Sequence, residues 1–548
     1  MSTINPSNPA YGVYSYIKDL SERPDNAPSS IAAFVGAAPS GPVGQRTLVT
    51  DFAKYKAKFG FGDPSYGYMA YSVEPFLNQS SMCYVTRVVN GALTAGAMLS
   101  VDDVNAQNPQ LALTVFKDSA TGNAQGKDDP LNTYGFTPTT PGVTSLPCYF
   151  CAIDPGQWNN GITIVVRPSN PIGVALRGNG HNPLYFYVDV YRTKPTGNVA
   201  PDESFLVTRH YESDEAGNQL HIEEVINKKS NLVRCRNNTL CPEFDIVNTA
   251  SVQLDGGTDG LPVTNDQIIE AWQENYSDPE EIDIDIMVNG GYTHHTVQHA
   301  MNEIALARND CIAILDMPSD MQEVADAINY KKNILNMSSH ACAIYSSDVL
   351  VYDSANDLEI YVPPSGYVAA AFAKADNDRA LWFAPAGIEL GSLSVLGMRV
   401  HYDQGARNAL DQAQINPIRK MPRGQGNVIW GQSTTQTQAT SFQYVNVVRL
   451  VKHVLKTMVR SSKIGVFRPN DQLLRDRMKA IADSTLEPIR RGQGVYEFTN
   501  ICDSRNNTND TIANGDVILD MYMDPVIAAK RIHVVFNVNP TGSTATDA

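Results

Sequence analysis

After Gly260 the chain falls into a rhythm that few architectures can satisfy. Helix-spaced segments alternate with short apolar runs: Asp266 to Tyr276, then IDIDIMV; Thr296 to Ala307, then CIAILDM; Gln322 to Leu335, then HACAIYS. Successive strands running the same way need a crossover of about a dozen residues, usually a helix, and strands covered on both faces become continuous apolar runs. The pattern therefore predicts a mainly parallel sheet layered with helices. An earlier stretch has the same character. IAAFVGAA from Ile31 reads as a buried strand, Asp51 to Phe59 puts Phe52, Tyr55 and Phe59 at helical spacing, and CYVTRVV from Cys83 reads as another strand. The later rhythm thus resumes a domain begun near Ile31.

Between these stretches the composition shifts to Gly, Pro, Asn and Thr with short alternations such as LALTVF, ITIVV, LYFYVDVY and FLVTRHY, the pattern of a mostly β insertion. Beyond His401 come helices near Asn446 to Ser462, the longest, and Asp471 to Thr485, then two alternating strands, VILDMYMD and RIHVVFNV. The first residues are rich in Pro and Asn and form an arm without a core. At 548 residues the chain exceeds one core, and about three or four units are expected. The expected fold class is α/β plus β in a multidomain chain. Its parts are an arm over 1–24, a discontinuous α/β domain over 25–90 and 257–405, a mostly β insertion over 91–256 and an α+β C-terminal domain over 406–548.

Chemistry is hard to place on this chain. Lys and Arg total 42 against 58 Asp and Glu, so the net charge of −16 repels nucleic acid and anionic membranes. MSTINPSNPAYG lacks the features of a signal peptide, and no apolar run reaches membrane-spanning length. Eight scattered cysteines suggest buried, reduced thiols; Cys148 and Cys151 make a CxxC, but Cys235 and Cys241 have five residues between them, too wide for a zinc knuckle. His295 and His299 share a helix face with His294 beside them, yet no HExxH accompanies them, and a helix-start cluster is expected. Asp283 and Asp285 alternate with isoleucines, which reads as the solvated face of an edge strand. GGTDG lacks the Walker lysine, the two RGQG turns lack the third glycine of a dinucleotide loop, and a Gly-x-Ser-x-Gly elbow is missing. No catalytic, cofactor-binding or metal-ligating residue is assigned, and no cofactor is expected.

One helix departs from the ordinary. Arg449, Lys452, Lys456, Arg460 and Lys463 recur at spacings of three and four, opposite Val447, Val448, Val451, Val454, Leu455 and Met458. A solvated face normally mixes signs, and this one carries no acid, so a negatively charged partner is expected.

The stretch Tyr361 to Gly391 brackets a small-residue helix between Pro-Pro-Ser-Gly, where Gly366 is expected to supply an open φ, and Ala-Pro-Ala-Gly. PPSG, the Ala-Lys-Ala-Asp run and W-x-APAG together resemble the tail sheath proteins of contractile bacteriophages. PAYGVYSYIKDLS, AAFVGAAPSGPVG, Gly256 to Gly260, Arg308 to Cys311 with Asp316-Met317-Pro318, and Val428 to Gly431 fall in the order seen in that family. DPGQWNNG departs from it locally, with Asn159 where the family usually has Gly. The resemblance implies a subtilisin-like topology for the α/β domain and a mechanical role without turnover. Copies would stack around an inner tail tube protein and contract, with baseplate and tail terminator proteins as further partners and no direct nucleic-acid or membrane contact. The basic helix would face that tube. It implies a virion location after assembly in the host bacterial cytoplasm. The resemblance also implies terminal arms that link neighbours by strand exchange; Tyr11, Val13, Tyr14 and Tyr16 at one end and Ile532, Val534, Phe536 and Val538 at the other have the matching strand pattern. A tailocin sheath, a hydrolase on the α/β domain, and a capsid or adhesin-like protein are the alternatives.

Overall fold

The computed structural model describes residues 30–531, apart from 62–63, 103–110, 116–145, 170–184, 195–198, 212, 214–216 and 242–247. By compactness the chain divides into two units, one of 30–453 with 525–548 and one of 1–29 with 454–524.

The larger unit is built on one sheet. Strands β1 (Ala32–Gly36), β2 (Thr47–Val49) and β3 (Cys83–Arg87) come first, with helices α1 (Phe52–Phe59) and α2 (Met69–Leu77) between the last two. Asp51 starts α1 by accepting from the Ala53 amide at 3.1 Å. The chain then leaves for an insertion, in which β4 (Gly96–Val101), β5 (Leu111–Val115), β6 (Cys148–Ala152), β7 (Thr163–Pro168), β8 (Tyr185–Tyr191) and β9 (Glu203–Thr208) precede helix α3 (Ile222–Lys229). Strands β10 (Val233–Asn237) and β11 (Ala250–Gln253) close it. These form two four-stranded antiparallel sheets, β10-β6-β4-β5 and β11-β7-β8-β9. Alternate residues such as Leu99, Phe150, Ile164, Val188 and Val233 meet in a shared core that α3 caps with Ile222 and Ile226.

Chain order then returns to the large sheet through α4 (Asn265–Tyr276), β12 (Ile286–Val288), α5 (His295–Arg308), β13 (Ile312–Asp316), α6 (Val324–Asn329) and β14 (Cys342–Ser346). Thr264 and Gln267 form a capping box at the start of α4, and Asn309, in the left-handed region at φ 56°, ends α5. Next come the hairpin β15 (Val349–Asp353) and β16 (Leu358–Val362), helix α7 (Ser365–Asp378), short strands β17 (Ser392–Leu393) and β18 (Gly397–Met398), helix α8 (Gln404–Gln412), and strands β19 (Ile415–Lys420) and β20 (Asn427–Ile429). The sheet order is β17-β20-β19-β14-β13-β12-β1-β3-β2. From β19 to β3 every pairing is parallel, while β2, β20 and β17 are antiparallel additions. Side chains alternate between two cores. Phe34, Ile286, Val288, Ile312 and Ile314 face helices α1, α2 and α7, whereas Ala33, Val35, Met287, Ala313 and Leu315 face α4, α5, α6 and α8. Each fully buried aliphatic side chain contributes about 1.5–3 kcal/mol, which is why the apolar runs were so continuous.

Two expectations are corrected here. Asp283 and Asp285 lie just before β12, in the middle of the sheet rather than at an edge, and the Asp285 carboxylate accepts the Ile31 amide at 2.9 Å. The strands Ile415–Lys420 and Asn427–Ile429, expected with the C-terminal part, belong to the large sheet, because Ile344, Tyr345 and Ser346 of β14 offer a parallel edge.

Helix α9 (Val445–Ser462) contains the boundary between the units, at 453/454. In the smaller unit follow α10 (Gln472–Arg491), β21 (Val495–Ile501), a helical turn at Asn509–Ala513 and β22 (Asp520–Pro525). Strands β21 and β22 form a two-stranded sheet, and Leu474, Met478 and Cys502 make a small core. At 20 residues α10, not α9 at 18, is the longest helix among the described residues. Pro488 sits in its last turns without ending it, since Asp471 caps the start at 2.8 Å and buried Leu486 and Ile489 hold the far end.

Candidate functional site

The basic helix is the residue set from which a partner surface was expected, and its two halves differ. From Val445 to Leu450 every residue is buried. Arg449 forms an ion pair with Asp376 of α7 at 2.6 Å, with side-chain exposures of 7% and 2%, and lies 4.7 Å above the Phe372 ring. Asp376 also accepts from the Ser30 hydroxyl. Lys452 is buried as well; its ammonium donates to the carbonyls of Cys311 and Ala305, and burial lowers its pKa. These two cations therefore hold the helix to its own subunit, which corrects the expectation of one continuous solvated basic face. The reason is local: Asp376 and the carbonyls at the ends of α5 and β13 supply the negative ends from remote parts of the chain. Lys456 is half-buried, and Arg460 and Lys463 are exposed. The apolar stripe does not stay covered either, since Leu455 and Val459 are 40% and 61% exposed. Past it, Ile464, Val466 and Phe467 are exposed too.

The arm residues Tyr11, Val13, Tyr14, Tyr16, Ile532, Val534, Phe536 and Val538 lie outside the described residues.

At the corner that carries the family-like motif, α7 starts at Ser365, directly after Pro363 and Pro364. Contrary to the expectation of an open φ, Gly366 is part of the first helical turn. A Cβ there would stand 2.3 Å from Ser72 Cα of α2, so glycine is required for the close approach of two helices. Sequence alone cannot separate these two uses of glycine.

A buried polar knot beside it was missed. Asp316, at the end of β13, accepts from the Ser365 amide at 2.8 Å, the Ser365 hydroxyl at 2.7 Å and the Gly291 amide at 3.0 Å. Its own backbone is held by Asn289 at 3.3 Å and Gln298 at 2.8 Å. Burial pushes the carboxyl up to about 7 against the pull of these donors. The C-terminal ends of parallel strands are where open α/β sheets bind ligands. Here the chain fills that place itself: Ser365 is fully buried and its hydroxyl is committed to Asp316, so it offers no nucleophile to a solvent-borne substrate. The sequence signal for it is an Asp that ends an apolar strand run, in Asp316-Met317-Pro318.

The histidines form a helix start. His294 caps α5, its Nδ1 lying 2.7 Å from the Thr296 hydroxyl, and its ring rests against His295. Among the described residues no group of three or more His, Cys, Asp or Glu could hold a metal ion, and all eight cysteines are free and buried. No helix among the described residues is long and apolar enough to cross a membrane.

Comparison with known proteins agrees with the motif order. The chain is 28% identical over 312 residues to the tail sheath protein of Enterobacteria phage T4, covering 53% of this chain and 47% of that protein. It is 26% identical over 374 residues to the tail sheath protein of Vibrio phage KVP40, covering 63% and 54%. The matches thus span about half the length of those relatives. The fold is similar to the crystal structure of a sheath tail protein from Listeria innocua, with a TM-score of 0.56 at 11% identity over 92% of this chain and 97% of that one. Residues 262–435 match the phage tail sheath protein central domain and residues 437–539 the phage tail sheath C-terminal domain. The chain belongs to the phage tail sheath protein family.

Proposed function

We propose that this chain is the sheath subunit of a contractile phage tail. Copies polymerise around an inner tail tube in an extended, metastable state and collapse to a shorter, wider sheath that drives the tube through the host envelope. The observation that carries this reading is the consecutive match of both sheath domains over residues 262–539. Head-to-tail contacts between identical copies build an open helical array, and the stored energy is the difference between two packings of the same bodies. The work is mechanical and needs neither cofactor nor turnover, in keeping with a Ser365–Asp316 pair turned inward. The sheath of a phage-derived tailocin would have the same chemistry.

In this reading the α/β domain, of subtilisin-like topology, is the body that moves. The insertion over 91–256 forms the outer domain and the C-terminal part faces the tube. The terminal arms, through Tyr11, Val13, Tyr14 and Tyr16 and through Ile532, Val534, Phe536 and Val538, tether neighbours by strand addition while the bodies rotate. Tube protein, baseplate and terminator are the partners, and the particle assembles in the bacterial cytoplasm. Of the basic helix, Lys456, Arg460 and Lys463 are the cations that reach the surface and would meet a tube, each contact worth about 0.2–1 kcal/mol and released during contraction. Reversing these three to Glu and co-assembling the variant with the tube protein is the test. Empty sheaths beside bare tubes in electron micrographs are expected, and normally decorated tubes would show that the helix faces elsewhere.

A further inference from the structure

The larger unit carries a groove of about 900 Å³ that the family relationship does not account for. Residues Gln45 to Leu48 run along it, and β2, to which Thr47 and Leu48 belong, is the last strand of the nine-stranded sheet on this side. An edge strand presents backbone donors and acceptors to any chain that lies beside it. The walls are α1, through Lys54 and Lys58, and the insertion, through Arg192 and Arg234. With Arg46 they make five cations against one carboxylate, Asp154, in a chain whose net charge is −16. Only Arg46 has a carboxylate partner among the described residues, Glu281 at 2.9 Å. Lys54 donates to the Thr50 hydroxyl and Arg234 to two backbone carbonyls, all neutral acceptors. Leu48 and Trp158 add exposed apolar surface, at 51% and 40%. Asp154 itself has its pKa raised by burial, despite the cations Arg87, Lys58 and Arg234 around it.

We propose that this groove receives an acidic segment of a second copy of the same chain, laid along the edge of β2 and held by Lys54, Lys58 and Arg192. The proposal rests on the sheath reading, because only a polymer brings copies together at high local concentration. Charge complementarity selects the occupant. Polyphosphate backbones are repelled by the surplus acid over the rest of the chain, whereas that same surplus offers carboxylate runs on every neighbouring copy, for example exposed Asp320, Glu323 and Asp326, with no cation among them. The groove then serves as an ionic, salt-sensitive contact between subunits, distinct from strand exchange through the termini.

The test uses full-length chain in polymer. Unlabelled and ¹⁵N-labelled subunits are mixed, assembled and treated with a zero-length carbodiimide crosslinker, and the peptides from Lys54 and Lys58 are read by mass spectrometry. Mixed-isotope crosslinks to Asp or Glu are expected, and they name the donor segment. Lys58→Glu with Arg192→Glu, both exposed, should raise the concentration at which polymer first sediments by about ten-fold while leaving the thermal unfolding of the subunit unchanged. Polymer whose Lys54 and Lys58 crosslink only within one chain, or a charge-reversed variant that assembles like the parent, overturns the groove proposal and leaves the sheath reading standing. A parent chain that forms no polymer under any condition overturns both.

Discussion

The ion pair between Arg449 and Asp376 separates a helix that belongs to its own core from one displayed to a partner. The two groups meet at 2.6 Å with side-chain exposures of 7% and 2%. Arg449→Met removes the cation and its contact with the Phe372 ring, and leaves Asp376 with the Ser30 hydroxyl as its remaining donor among the described residues. Breaking a buried pair on one side costs about 3–5 kcal/mol, because the survivor is an uncompensated buried charge. The ring contact adds about 0.5–2 kcal/mol. Neutralising the survivor should recover much of this, so Arg449→Met with Asp376→Asn is expected to be at least about 2 kcal/mol more stable than Arg449→Met alone. Urea unfolding of the soluble subunit, followed by circular dichroism at low and high salt, measures all four corners of the cycle. A buried pair gives a large coupling that salt hardly changes. A cost for Arg449→Met below about 1 kcal/mol, with no coupling to Asp376, would refute the placement of this helix in the core.

Three further outcomes follow from the same geometry. Asp316, raised to about 7 by burial, is held protonated in the fold well above the ordinary range near 4, so its favourable contribution is complete below about pH 4 and fades as pH climbs through 7. Asp316→Asn should therefore gain relative to the parent between pH 5 and pH 8, by about 2.7 kcal/mol at most (about two pH units at about 1.36 kcal/mol each), in urea unfolding repeated across that range; a parallel pair of curves would contradict it. Gly366→Ala places a methyl 2.3 Å from Ser72 Cα, and about 1–3 kcal/mol should be lost as α2 and α7 part, read as a lowered urea midpoint at unchanged slope. Deleting residues up to Asp19, or everything after Ala529, should leave a folded, soluble subunit that no longer sediments as polymer, and tubes of normal length from either truncation would remove the arms from the account.

The parts of the fold that sequence conveyed were those where one interaction repeats along the chain. The runs CIAILDM and HACAIYS are continuous because β13 and β14 are covered on both faces, and their helices are spaced by the same packing. Strand β21, VYEFTNI, is hard to read from sequence because its burial alternates irregularly and its partner, β22, follows a turn rich in Asn and Asp. What stayed hidden was set by partners distant in the chain. Lys452 has the spacing of a surface residue and is buried because the Cys311 carbonyl, 141 residues earlier, receives it. Gly366 looked like a turn residue and serves a helix contact with Ser72. The Asp316 knot draws Gly291 and Ser365 to one carboxyl, a convergence that no local pattern announces.

The central claim is that this chain stores a conformational change in a polymer. The direct measurement is of length and diameter, by electron microscopy, on the same preparation of assembled particles before and after a mild trigger such as dilute urea or a drop in pH. The account predicts sheaths that become shorter and wider with the number of subunit rings unchanged. Polymers that keep their dimensions until they dissolve into subunits, or particles that shorten only by losing rings, would contradict it.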